Sequence, residues 1–389
     1  VPRLRFPEFR EAAGWKLQPL GTLAKRRTTK NTEGEHTRVL TNSAEFGVVD
    51  QRDYFEKDIA NQGNLEGYYI VEKGDYVYNP RISTSAPVGP ISKNNIGAGV
   101  MSPLYTVFRF DNSNNDFYAY YFKSTHWHHY MRQASSTGAR HDRMSITNDD
   151  FMGLPVPVSS PKEQQKIADC LSSLDELIAA ESQKLTTLKT HKKGLMQQLF
   201  PREGETVPRL RFPEFREAGE WEIKPFAQLF TIGNGRDYKH LGSGDVPVYG
   251  SGGYMLSVDD YLHDGESVCI GRKGTINNPI LLSGKFWTVD TLFYTHSFKN
   301  CLPRFIHLHF QLIDWLKHNE AGGVPSLSKS NIEKIEVAIP TLSEQQKIAD
   351  CLSSLDDLIN AQTKKIAALK THKKGLMQQL FPVLDEVQP

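Results

Sequence analysis

The sequence predicts a mixed α/β (α+β) chain in which two unlike globular domains are separated by two long helices that pair as an antiparallel coiled coil. Three observations predict it. EQQKIADCLSSLD occupies 163–175 and again 344–356, 181 positions later. LKTHKKGLMQQLFP recurs at 188–201 and 369–382 with the same offset. VPRLRFPEFREA occurs at 1–12 and 207–218, but 206 apart. The chain is therefore a duplication with near-identical joints around different contents, an internal pseudo-two-fold arrangement. The two offsets, 206 and 181, make the first filling 25 residues longer than the second.

The helices are read from spacing. Ile167, Leu171, Leu174, Ile178, Leu185, Leu188, Leu195 and Leu199, with the polar positions Glu181 and Lys192, alternate steps of four and three. That is a heptad seam. The second copy runs Ile348, Leu352, Leu355, Ile359, Gln362, Ile366, Leu369, Lys373, Leu376 and Leu380. Pro161 and Ser343 precede Glu163 and Glu344, which puts an acid in each first turn, and Pro201 and Pro382 close the runs. At about 1.5 Å per residue each helix spans roughly 60 Å. A narrow leucine seam needs a partner, and the duplicate helix is the nearest. A parallel pair in register would set Lys192 against Lys373. The antiparallel register that sets Glu181 against Lys373, Lys192 against Gln362 and Ile178 against Leu376 avoids that layer. The boundaries that follow are 1–158, a first globular domain; 159–200, a helix; 201–339, a second globular domain; 340–382, a helix; and 383–389, a tail.

Composition narrows the function classes. At 389 residues the chain is long enough for several cored domains. No apolar run reaches the roughly 18 residues of a membrane span, so no membrane association is expected. The opening VPRLRFPEF is charged and aromatic rather than a basic stub before an apolar stretch, so no secretory leader is expected. Val1 in place of Met reads as a trimmed start. Cys170, Cys269, Cys301 and Cys351 form no CxxC pair, which suits free thiols in the cytoplasm. With 46 Lys and Arg against 45 Asp and Glu, any basic surface must be local or supplied by a partner.

The EQQKIADCLSSLD joint, the GLPVPV and VAIPTL strands before it, the heptad helix and the PRLRFPEF…W segment that opens each half resemble the specificity subunit of type I restriction-modification enzymes. The resemblance covers essentially the whole chain. It implies two target-recognition domains, each followed by a conserved helix, each reading one half of a split sequence in double-stranded DNA. Helix length then sets the unread spacer. It implies a subunit with no catalytic activity, no cofactor and no small-molecule substrate. Its partners are two adenine-methylating (M) subunits and restriction (R) subunits.

Recognition domains diverge by design, so candidate DNA contacts come from residue type and placement. Arg and Lys match guanine acceptors, and Asn and Gln match adenine. The Gly/Ser-rich stretch 135–145 supplies Arg140, His141 and Arg143, and its counterpart 322–329 supplies Ser326, Ser328 and Lys329. GDYVYNPRISTS supplies Asn79, Arg81, Ser83 and Thr84. GESVCIGRKGT supplies Arg272, Lys273 and Thr275. The alternative for each is a solvated turn or hairpin end. Gly250–Tyr254 is a third candidate, for which a plain turn is the preferred reading. Candidate docking positions for the methylating subunits are the repeated polar residues Glu163, Gln164, Gln165, Lys192 and Lys193, with Glu344, Gln345, Gln346, Lys373 and Lys374. A solvated helix face is the alternative for these charges.

Other signals are discounted. His126, His128 and His129 lie without a carboxylate or cysteine at ligand spacing, so no metal is expected. GSGDVPVYGSGG lacks the Lys-Ser/Thr of a phosphate loop. A methyltransferase reading would need an Asn- or Asp-Pro-Pro-aromatic motif and a glycine loop for the methyl donor, and neither is found. A coiled-coil scaffold that binds only proteins would explain the helices but not two diverged, aromatic-rich domains.

Overall fold

The computed structural model describes residues 1–54, 65–135 and 142–383. The chain divides into two compact units, one formed by 1–181 with 365–389 and the other by 182–364. The division falls inside both long helices, Pro161–Leu199 and Leu342–Leu380. Each unit thus owns the start of one helix and the end of the other.

In unit 1 a four-stranded antiparallel sheet runs in the order Ala24–Arg26, Thr106–Phe110, Tyr76–Tyr78, Ile91–Lys93. One face is aromatic. Tyr76, Phe108, Phe110 and Phe122 pack edge-on or stacked at centroid separations of 5.0–6.2 Å, the geometry ring quadrupoles favour. This core continues into Ile167, Leu171, Leu380 and Phe381 of the helical segments. Unit 2 repeats the strand order with Thr231–Asn234, Leu292–His296, Ser267–Gly271 and Ile280–Leu282. It adds a second sheet in the order Gly253–Val258, Ser243–Gly250, Lys285–Thr288, His263–Asp264. Its main core likewise includes helical residues, Leu199, Ile348 and Leu352 among them.

The repeated lead-in segments are anchored alike. Pro7 and Pro213 open short 3-10 turns, where a missing N–H costs nothing. Trp15 and Trp221 are buried. The strands that follow, Lys16–Pro19 and Glu222–Pro225, pair antiparallel with Pro155–Val158 and Glu336–Ile339, the strands that feed the long helices. Arg5 grips Glu163 through two bonds of 2.7 and 2.9 Å, and Arg211 grips Glu344 through two of 2.8 Å. Beside each clamp an ammonium lies over a ring: Lys166 over Phe6 and Lys347 over Phe212, both at 5.7 Å.

The helix register differs from the expected one. In unit 1 Lys373 reaches Asp175 rather than Glu181, and Glu181 takes Lys365. From Asp175 to Glu181 the partner number falls, so the two helical segments of this unit run in opposite directions. The pairing is displaced by roughly one heptad from the expected alignment, which brings Leu171 level with Leu376. In unit 2 Lys192 makes the matching contact with Asp356, at 2.7 and 2.8 Å, rather than facing Gln362. The seam lysines are not tolerated by pointing out to water. Each is held by an aspartate at the repeat-equivalent position of the other helix.

This packing can be tested in three ways. Glu344→Gln leaves the Arg211 guanidinium buried without its counter-charge, and should cost unit 2 about 3 kcal/mol or more in urea unfolding. In a background with Cys170→Ser and Cys351→Ser, the pair Leu171→Cys and Leu376→Cys should oxidise to a disulfide. Ile178→Cys with Leu376→Cys should not, because it is offset on the order of 10 Å along the axis. Third, burial pushes the His309 imidazole down from an ordinary 6.5 to about 3, while its Nε2 lies 3.1 Å from the Ala338 carbonyl. The unfolded chain then binds the extra proton between those values, so stability falls as pH drops from about 6.5 toward 3. His309→Gln should flatten that part of the stability–pH curve.

Candidate nucleic-acid interface

In each unit the structure brings together two loops that are far apart in sequence. In unit 1 Arg81 forms an isolated antiparallel bridge with Arg143. Ile82 N donates to the Asp142 carbonyl at 3.0 Å, and Met144 N to the Pro80 carbonyl at 2.9 Å. In unit 2 Lys273 bridges Ser326 in the same way. Gly274 N donates to the Pro325 carbonyl and Leu327 N to the Arg272 carbonyl, both at 2.9 Å. Each bridge lies just past the end of the equivalent strand of the main sheet, Tyr76–Tyr78 or Ser267–Gly271. Two glycines make these loop bases possible. A Cβ on Gly89 would lie 2.1 Å from the Asn79 carbonyl oxygen, and one on Gly271 would lie 2.0 Å from that of Thr275.

The expected residues divide between exposed and structural. Arg81, Thr84, Arg272, Lys273 and Thr275 are exposed, and Arg143 is partly so. The Arg272 guanidinium lies 5.9 Å from the Phe293 ring, which limits its range of directions. Asn79 is occupied: its Nδ2 donates to the Asn42 carbonyl at 2.9 Å and its Oδ1 accepts from Arg81 N at 3.0 Å. Ser83 closes a turn by accepting from Ala86 N. Ser326 sits in a loop held by the Asn319 side chain, which accepts from its N–H at 2.9 Å. Ser328 is the N-cap of the helix Lys329–Lys334, accepting from Asn331 N, and Lys329 pairs with Glu333 at 3.6 Å. Arg140 and His141 lie outside the described residues.

Five of the ten candidate docking residues are corrected. Glu163 and Glu344 are each 1% exposed, because they are consumed by Arg5 and Arg211. Gln345 is fully buried: its Oε1 accepts from Leu302 N and its Nε2 donates to the Asn300 and Pro340 carbonyls. Lys192 and Lys373 are held between helices by Asp356 and Asp175. Their repetition preserves the packing of each unit. Lys193, Lys374 and Gln346 are exposed, Gln165 is half-exposed, and Gln164 lies against Tyr118. Gln165 and Gln346 make matching bonds to Asp169 and Asp350, at 2.6 and 2.7 Å, one turn along their helices.

All four cysteines are free thiols, and burial pushes Cys269 up to about 12. Among the described residues no cluster of His, Cys, Asp and Glu is arranged to hold a metal. No helix of the described residues is long and apolar enough to cross a membrane.

The family described as the type I restriction modification DNA specificity domain matches residues 36–190 and 218–371, one match on each repeat. The chain belongs to this family. It is 26% identical over 275 residues to a putative type I restriction enzyme specificity subunit of Methanocaldococcus jannaschii, over 62% of this chain and 61% of that one. A second specificity subunit of the same organism is 33% identical over 129 residues, 33% of this chain and 28% of its own length. The chain spans less than two thirds of the length of these curated relatives. Its fold is similar to that of the S subunit of a type I restriction-modification system from M. genitalium, with a TM-score of 0.60 at 16% identity, over 98% of this chain and 99% of that one. A structure reported for complex assembly and conformational transition of the type I system also scores 0.60, at 14% identity over 95% and 97%. At these identities the likeness concerns fold.

Proposed function

We propose that this chain is the sequence-reading specificity subunit of a cytoplasmic type I restriction-modification complex, with a bipartite and asymmetric DNA target. The observation that carries the reading is the recurrence of one loop pair, Arg81 with Arg143 and Lys273 with Ser326, on two otherwise diverged domains. Each domain, 1–158 and 201–339, presents its pair to a major groove. The helices 159–200 and 340–382 form an antiparallel coiled coil about a pseudo-two-fold axis and set the unread gap. The seam aspartates and lysines support that pairing. Catalysis belongs to the partners: adenine-methylating subunits dock on repeated positions that stay exposed or partly exposed, such as Gln165, Lys193, Gln346 and Lys374, and restriction subunits join that core. Two modest half-site affinities on one scaffold combine through effective concentration.

Unequal fillings support unlike half-sites. A map of N6-methyladenine in a host expressing this chain with its methylating subunit should give a split, non-palindromic motif with a fixed gap that vanishes without the chain. Arg81→Ala with Arg143→Ala should relax one half of the motif, and Arg272→Ala with Lys273→Ala the other. The expected size is about 1–3 kcal/mol of discrimination for each bidentate bond pair to a base that the substitutions remove. A palindromic motif would contradict the asymmetric reading. Methylation that persists unchanged without the chain would favour a scaffold that binds only proteins.

A further inference from the structure

Unit 2 contains a cleft of about 760 Å³ walled by Asp237–Lys239, Gly250–Met255 and Val289–Thr291. Three sequence-distant segments meet there: the stretch before the second sheet, the hairpin turn between Ser243–Gly250 and Gly253–Val258, and the turn between Lys285–Thr288 and Leu292–His296. The cleft adjoins the basic loop. Arg272 N donates to the Thr291 carbonyl at 2.8 Å, and a Cβ on Gly274 would meet Ser251 Oγ at 3.3 Å.

Its chemistry is unlike that of a plain turn. Tyr254 is 62% exposed and Met255 48% exposed, so two large side chains stand in water at the rim. The Tyr254 hydroxyl shares a hydrogen bond with Ser257 Oγ at 3.2 Å, which holds the ring in place. Gly253, at φ +107°, takes a backbone conformation that lets the hairpin turn there. Lys239 and Asp290 are exposed on the wall. A carboxylate one residue before Thr291, whose carbonyl accepts from Arg272 N, is misplaced for a surface that meets only phosphate, because the two anions repel. The groups in a major groove that a carboxylate can accept from are exocyclic amines, cytosine N4 and adenine N6. An apolar rim suits the thymine methyl.

We propose that this cleft is a specificity-determining pocket of unit 2, in which Asp290 accepts from a cytosine or adenine amine and Tyr254 and Met255 pack on the neighbouring base edge. The proposal rests on the DNA-reading function above and deepens it. The test is selection from a fully randomised duplex library by the chain assembled with its methylating subunits, for wild type, Asp290→Ala, Tyr254→Ala and Tyr254→Phe. The wild type should select a split motif. Asp290→Ala should lower discrimination about tenfold at one position of one half-site and leave the other half-site unchanged. Tyr254→Ala should relax an adjacent position, and Tyr254→Phe, which keeps the ring, should retain it. Unaltered motifs in both alanine variants overturn the proposal, as does a loss shared equally by both half-sites. A wild-type assembly that binds the library with no motif removes the DNA-reading function and the pocket with it.

Discussion

The constraint on which each unit depends is the buried Arg–Glu clamp at the start of its long helix. Placing a guanidinium and a carboxylate away from water costs several kcal/mol per ion, and only good geometry with additional hydrogen bonds offsets it. Arg5 meets that demand, with two bonds to Glu163 and one each to the Ala12 and Ala13 carbonyls at 2.9 Å. Arg211 repeats it on Glu344, Ala218 and Gly219. The clamp fixes the direction in which the lead-in segment leaves the helix. It thereby sets the strand after Trp15 or Trp221 against the strand that feeds the same helix. That two-stranded join is separate from the main sheet, and the paired loops extend from strand ends of the main sheet.

The seam lysines illustrate a second constraint. A lysine in a leucine seam loses hydration, and reaching water is one remedy. Here the remedy is a carboxylate from the opposing helix. Lys373 also lies 5.0 Å from the centroid of the Tyr120 ring, whose hydroxyl donates to Asp175 at 3.1 Å. This register gives both lysines a carboxylate, whereas the alignment one heptad away would leave Lys192 facing the uncharged Gln362. The same polar break that weakens the seam therefore specifies it, as buried polar positions do in other coiled coils.

What is legible in the sequence follows the range of the interactions. Heptad spacing is local, and it marks both long helices to within about two residues of their observed ends. Their register is not legible from opposed seam positions alone, because a long lysine side chain reaches the flanking aspartates, Asp175 and Asp356. The loops are recognisable as candidates from Gly, Arg and Asn after a short apolar strand. Their pairing, Arg81 to Arg143 and Lys273 to Ser326, is a contact between distant segments that no local pattern encodes. The Gly250–Tyr254 turn looks plain in sequence because its significance lies in the neighbours it acquires, Val289–Thr291 and the Gly274 backbone.

The corrected docking residues carry the broader point. Identical residues in two copies suggest twin surfaces, yet Glu163 with Glu344 and Lys192 with Lys373 are twin interior contacts, and Gln345 is buried in its own unit. Duplication preserves whatever a repeated fold needs, and a clamp or a seam is needed before any partner arrives. A surface role becomes the better explanation only for repeated residues that remain exposed after the packing is satisfied. Gln165 with Asp169 and Gln346 with Asp350 are matched side-chain pairs on the helix surface, beside the clamps at Glu163 and Glu344. Gln165 also accepts from the Asn114 side chain, so in unit 1 this surface pair ties the helix to its globular domain.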